Sequence, residues 1–348
     1  MALALPARCD PNLLSVALRG SCPSSHWKDA IAPLLVGGMA QSMSFLNAGA
    51  NKGFAVAEFL ARFHRQDCGP NGCMLAWYNN ITDIKKNTML ACGYCNDCRS
   101  GMPRSQHRVP VRIHAFELLA GNQKLLQLLF QRLHVPGEVH AVALSNSTGT
   151  LWAPLITRTG QENVAASTEP LKQHLSIPTT SIDAYASRAG LQQLDWVTLD
   201  AEGWDGLIIR GGAHMLRNRR IGILEFEYSA KSWVSREPVR AQAMIAMVRE
   251  LLSWLTEVGY TCFWQSGRRP KAPSPAATTS TPSTTLRHPN LGRAIPMAVA
   301  QQEGRLVHVR DVLACNWTFA TRHAGAFGNA VCAHAPPIVA ALQALAAR

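Results

Sequence analysis

The sequence predicts an α/β fold: a doubly wound, mostly parallel sheet of seven strands with helices on both faces. Two observations predict it. Seven short apolar, strand-like runs recur along the chain, and segments of helical periodicity separate most of them. Small or acidic residues follow several of these runs, at the strand ends where such sheets bind ligands. With 348 residues, 47% hydrophobic and 16% charged, the chain holds enough apolar material for a large core.

The first run, "SMSFLNAG" from Ser42, meets the helical "NKGFAVAEFLARFH", where Phe54, Ala57, Phe59, Leu60 and Phe63 share one face. After an interruption come the strand "VRIHAFELL", the helix "NQKLLQLLFQRL" and the strand "EVHAVALSN". The helix "TTSIDAYASRAG", opened by a Thr or Ser cap, leads to the strand "LDWVTLDAEG", the helix "DGLIIRGGAHMLRN" and the strand "RIGILEFEY". A long helix, "PVRAQAMIAMVRELLSWLTEVG", carries Met244, Met247, Val248, Leu251, Leu252 and Leu255 along one face, a stripe read as core packing. "YTCFWQ" and "AGAFGNAVCAHA" are the final strands. The Pro-, Ser- and Thr-rich "RRPKAPSPAATTSTPSTTLRHPN" between them reads as a disordered excursion. The expected organisation is an N-terminal extension (1–41), a core (42–266) with a Cys-rich insertion (65–108), a low-complexity loop (267–293), and closing strands with a tail (294–348).

The 34 basic and 22 acidic side chains give a net charge of +12. Between Arg62 and Arg112 there are eight Lys or Arg and three Asp, and between Gly267 and Arg293 five Lys or Arg with no acid. Ten of the twelve excess charges thus fall in two irregular segments without interleaved aromatic residues, which favours solvated basic loops over a nucleic-acid site. No run approaches the roughly 18 apolar residues of a membrane helix. The first twenty residues, interrupted by Arg8, Asp10 and Pro11, match a signal peptide poorly, and the compartment stays open.

Three strand ends carry candidate chemistry. In "NAGANKG", Gly49 and Gly53 permit a tight turn and close approach of a ligand to bare backbone, although Asn51 stands where a dinucleotide fingerprint has its middle glycine. In "AFELL", Glu117 ends the next strand, where a carboxylate can accept both hydroxyls of a ribose. In "TLDAEGWDG", Asp200 and Glu202 stand two apart, with Gly203 and Gly206 permitting a sharp turn. Paired carboxylates repel each other, and a ligand, a cation or a proton must offset that.

Taken in order, "FLNAGANKG", "HAFELL", "VALSNSTGTLW", "TTSIDAYASRAGLQQLDWVTLDAEGWDGLIIRGGAHML" and "IGILEFEY" resemble the successive motifs of the FkbM-type family of S-adenosylmethionine-dependent methyltransferases, from about Ser42 to Tyr228. The resemblance implies a class I methyltransferase-like, Rossmann-like fold. It implies that Asn47, Gly49, Asn51 and Gly53 form the cofactor turn, that Glu117 holds the ribose of S-adenosylmethionine, and that Ser145 lies near the adenine. Asp200 and Glu202 would face donor and acceptor, either serving as general base, with Glu225 and Glu227 as further candidates. The chain departs from the family pattern at Asn47, usually an acid, and at Thr198, usually a lysine. The implied activity is O-methylation of a sugar, lipid or other small hydroxylated acceptor. A nucleotide-binding oxidoreductase and a non-catalytic scaffold are the alternatives.

Cys68, Cys73, Cys92, Cys95 and Cys98 crowd the insertion. Two C-x-x-C steps sharing Cys95 can chelate zinc with Cys68 or Cys73, while disulfides or free thiols fit as well. The tripeptides starting at Asn80, Asn146 and Asn316 suit a secretory route. Cys262, Cys315 and Cys332, in apolar surroundings, read as core residues or further bridge partners, and His114, inside a strand, as a core residue.

Overall fold

The computed structural model describes residues 22–23, 26–38, 42–64, 73–85, 109–155, 164, 166–229, 241–265, 267–268, 306–308 and 327–346. Its strands are β1 (Cys22–Pro23), β2 (Met43–Ala48), β3 (Val111–Phe116), β4 (Gly137–His140), β5 (Ala143–Leu144), β6 (Gly149–Pro154), β7 (His174–Thr180), β8 (Leu194–Leu199), β9 (Ile221–Ser229), β10 (Thr261–Gln265), β11 (Gly267–Arg268), β12 (Leu306–His308) and β13 (Phe327–Ala333). The helices are α1 (His26–Gly38), α2 (Phe54–Phe63), α3 (Cys73–Lys85), α4 (Ala120–Arg132), α5 (Ile182–Arg188), α6 (Asp205–Arg210), α7 (Ala213–Arg217), α8 (Ala241–Glu257) and α9 (Pro336–Ala346).

Seven strands form the sheet in the order β4–β3–β2–β8–β9–β13–β10, and the short β12 extends it past β10. The five from β4 to β9 are parallel, whereas β13 runs antiparallel to both its neighbours. The chain leaves β2 toward β3 and β4, then returns to β8 on the other side of β2. Strand order therefore reverses beside β2, and a crevice opens there beyond the carboxyl ends. Alternation sorts the core into two layers. Phe45, Trp196 and Ile223 pack with α1, α2, α3, α4 and α9, while Leu46, Val197 and Leu224 pack with α5 to α8.

Several expectations change in detail. "EVHAVALSN" is two strands, because after His140 the chain leaves the main sheet and β5 joins β7 and β6 in a separate three-stranded sheet. "DGLIIRGGAHMLRN" is two helices divided at Gly211-Gly212, where a Cβ on Gly211 would lie 2.2 Å from the Ser145 carbonyl oxygen. Ser181 caps α5 by accepting the Ala184 N–H at 3.1 Å. On α8, Val248, Leu251, Leu252 and Leu255 are buried, but Met247 is 40% exposed and lies at the edge of the stripe.

The N-terminal segment supplies α1, whose Trp27 stacks on Trp196 of β8 at 5.4 Å. The described part of the insertion is α3, whose Trp77 donates to the Lys52 carbonyl at 2.7 Å. Cys262 and Cys332, register partners on β10 and β13, form a disulfide, and Cys73 is also disulfide-bonded. Cys92, Cys95, Cys98 and the segment 269–300 lie outside the described residues. Among the described residues, no cluster of three potential ligands could hold a metal, and no helix is long and apolar enough to cross a membrane.

Candidate functional site

Beyond β2 the chain must turn under the end of β8. Gly49 makes this turn at φ +72°, and a Cβ there would fall 1.8 Å from the Asp200 carbonyl oxygen, so only glycine fits. The Gly49 and Ala50 N–H groups donate to the Phe116 carbonyl at 3.1 and 3.0 Å, tying the turn to β3. Asn51 follows at φ 48°, a left-handed conformation unfavourable for a side-chain-bearing residue. Its N–H donates to Glu117 Oε2 at 2.7 Å, which holds the strained residue in place.

Glu117 is 5% exposed. Its Oε1 accepts the Leu119 N–H at 2.8 Å, and its main chain is fixed through its own N–H to the His140 carbonyl. Burial pushes its carboxyl above the usual range; the backbone donors of Leu119, Asn51 and Leu118 pull the other way, and Asp200 adds to the rise. An ionised carboxylate has about four acceptor sites, so these backbone donors leave it capacity to accept a ligand hydroxyl.

At the end of β8, Glu202 (φ 50°) and Gly203 (φ 89°) form a left-handed turn into α6. Asp205 opens that helix, is fully buried, and is pushed up to about 7, first by burial and then by Asp200. Its Oδ1 accepts the Ala201 N–H at 3.4 Å, while Oδ2 has no hydrogen-bond partner among the described residues. On the neighbouring strand, Glu227 is raised well above the usual carboxylate range by burial, by Asp200, with which it shares a hydrogen bond, and by Asp205 and Glu202. Four carboxyl groups therefore gather at the ends of β8 and β9.

These ends open into a cleft with its mouth in solvent, floored by the buried Ala48, Phe116 and Leu144. Gly49, Asn51, Glu117, Asp200 and Glu202 line it, with Asn122 and Trp204. The structure brings these five candidates together and leaves three others outside. Asn47 lies beneath the floor, 1% exposed, facing α1 and α2. Gly53 (φ +81°) turns toward Trp77 and Leu126, where a Cβ would meet both within 3 Å. Ser145 is buried, its hydroxyl donating to Asn146 Oδ1 at 3.3 Å. Asp205 was not among the candidates, and the third acid in "DAEGWD" was the available signal; Glu227 was a candidate, but its approach to Asp200 depends on β8 and β9 being neighbours, which local spacing does not encode.

The model of the methyltransferase FkbM domain matches residues 47–262, more than half of the chain. No curated protein matches. Among solved structures, the chain is similar to the methyltransferase FkbM from Methylobacillus flagellatus KT, with 12% identity over 74% of this chain and 55% of that one, and a TM-score of 0.36.

The two departures from the family motifs are themselves neighbours. Asn47 and Thr198 are register partners on β2 and β8, and Asn47 Nδ2 lies 3.5 Å from the Thr198 carbonyl. An acid and a base are thus missing together, which leaves the local charge unchanged. Next along the row, Glu225 is bound by Lys28 of α1 at 2.9 Å and reached by Thr198 Oγ1 at 3.4 Å and Gln265 Nε2 at 3.2 Å.

Proposed function

The chain belongs to the FkbM methyltransferase family, and on that premise we propose that it uses S-adenosylmethionine to methylate a hydroxyl oxygen of a sugar, lipid or other small acceptor. The observation that carries the cofactor assignment is the charge of the cleft. Among the described residues its lining holds three carboxylates, Glu117, Asp200 and Glu202, and no Lys, Arg or His, although the whole chain is strongly basic. Such a wall favours a cationic ligand and repels the pyrophosphate of a dinucleotide, which disfavours the oxidoreductase alternative.

When bound, S-adenosylmethionine supplies a methyl group already activated on a sulfonium. The chain's part is to bind, align and handle the proton. Gly49 and Asn51 present bare main chain, and Glu117 accepts the ribose hydroxyls with its remaining lone pairs. Phe116 and Leu144 give the nucleoside an apolar floor. Asp200, at the mouth, takes the proton of the acceptor hydroxyl, with Glu202 on the same turn.

Calorimetric titration with S-adenosylmethionine tests this. Wild type should bind, and Glu117→Ala should bind about 10- to 100-fold more weakly, the cost of charged hydrogen bonds. Affinity should fall as pH drops and Glu117 takes up its proton. No heat with wild type, an unchanged affinity in the variant, or preferential binding of NADH would overturn the assignment; absence of any ligand would favour the scaffold alternative.

A further inference from the structure

Glu225 and Glu227 project from the same side of β9. Thr198 pairs with Glu225 and Leu199 with Phe226, so the next positions along both strands, Asp200 and Glu227, are neighbours. Their side chains share a hydrogen bond. Two carboxylates cannot hydrogen-bond as anions, because neither has a donor; one must carry a proton. Asp200 is exposed at the cleft mouth and Glu227 lies deeper, so water solvates the charge better on Asp200 and the proton rests on Glu227.

Resting on the methyltransferase reading above, we propose that Glu227 is a positioning residue that works as a neutral acid, donating its carboxyl proton to Asp200 and so aiming the Asp200 carboxylate at the acceptor. The surroundings support the neutral form. Among the described residues, the charged groups acting on Glu227 are Asp200 just past β8, Glu202 from the turn and Asp205 from α6, all acidic, while its register partner on β13 is the uncharged Asn329. Lys28, on the same face, is engaged by Glu225 and Glu58. In the proton transfer, the acceptor O–H bond breaks and the proton joins Asp200; Glu227 keeps its own. Once Glu227 ionises at higher pH, it donates nothing and repels Asp200, and the aim is lost.

The test uses the full chain. Infrared difference spectra with isotopically labelled glutamate should show the carbonyl stretch of a neutral acid in wild type near neutral pH. The band should vanish in Glu227→Gln, persist in Glu225→Gln, and shift in Asp200→Asn. Calorimetry supplies the second readout. S-adenosylmethionine should bind about tenfold more weakly to Glu227→Ala, and Glu227→Gln, whose amide still donates, should recover most of that loss. With rising pH, the neutral-acid band of wild type should fade as Glu227 ionises, with no matching change in Glu227→Gln. No neutral-acid band, a band that survives in Glu227→Gln, or a glutamine variant as impaired as the alanine variant would overturn the proposal. A band of the expected behaviour in a protein that binds no S-adenosylmethionine would sustain the protonated pair and overturn instead the reading of the cleft.

Discussion

Glu225 and Glu227 stand two residues apart on one face of one strand, yet their surroundings are opposite. Glu225 faces Lys28, which also binds Glu58 at 3.1 Å; Glu58 in turn meets Arg62 at 2.9 Å, and Arg62 meets Asp29 at 2.8 Å. Burial opposes charge on Lys28 and Glu58, but the opposite charges more than offset it, so the Lys28 ammonium sits above its usual range and the Glu58 carboxyl below its own. Among the described residues Glu227 faces only other acids, which with burial hold its carboxyl well above the usual range and favour its neutral form. The contrast teaches that a buried acid with a cation beside it keeps its charge and fastens α1 to the sheet, whereas one among other acids gives up its charge and marks the place where a ligand completes the site.

The strongest way to break this comparison is Lys28→Met, which leaves buried Glu225 without its cation. Urea unfolding should show a loss of roughly 3–5 kcal/mol; a loss below about 1 kcal/mol would mean that α1 is not fastened this way. In wild type the fastening should hold across neutral pH. Its Glu58 part, from a lowered carboxyl, should fade as pH falls through the folded-state value, and its Lys28 part, from a raised ammonium, only as pH climbs past the usual lysine range.

Glu225→Gln and Glu227→Gln sharpen it next. The first removes a charged partner of Lys28 and should cost about 2–3 kcal/mol, while the second should cost nothing at neutral pH and stabilise the protein above it. Equal losses in both would erase the distinction.

A smaller effect is expected at Asp205. Its folded-state value of about 7 lies above the usual 3.8, so the folded protein holds this proton more tightly and loses stability as pH rises between the two. Asp205→Asn cannot ionise and still accepts the Ala201 N–H. Its advantage over wild type should grow between pH ~4 and ~7 and level off above, reaching on the order of 1–3 kcal/mol in thermal or urea unfolding. A constant difference would show that the charge carries no cost.

What was legible in the sequence were features that leave a local trace. The turn after β2, Glu117 at the end of β3, and Asp200 with Glu202 after β8 show as small or acidic residues at the end of apolar runs, and the fold follows from seven such runs. What was not legible depends on distant pairing. Nothing near Lys28 announces that it reaches Glu225, and α1 fell in a segment read as an extension. Asn47 looked like part of the cofactor turn because it is close in sequence, but strand alternation turns its side chain to the opposite side from the cleft floor formed by Ala48. The separate sheet of β5, β6 and β7 escaped because "EVHAVALSN" carries no breaker where the chain leaves β4. For His114 the expectation of a core position holds: it is fully buried, with Nδ1 2.6 Å from the Tyr185 hydroxyl, beneath the floor residue Phe116, which packs edge-on against the same tyrosine.

The central claim is that one acid-lined cleft beside β2 holds a sulfonium nucleoside. Hydrogen exchange with and without S-adenosylmethionine tests it most directly. The account predicts slowed exchange at the main chain of 48–53, 117–119 and 200–204, with no change in α1. Protection confined to other segments, or none at saturating ligand, would contradict it.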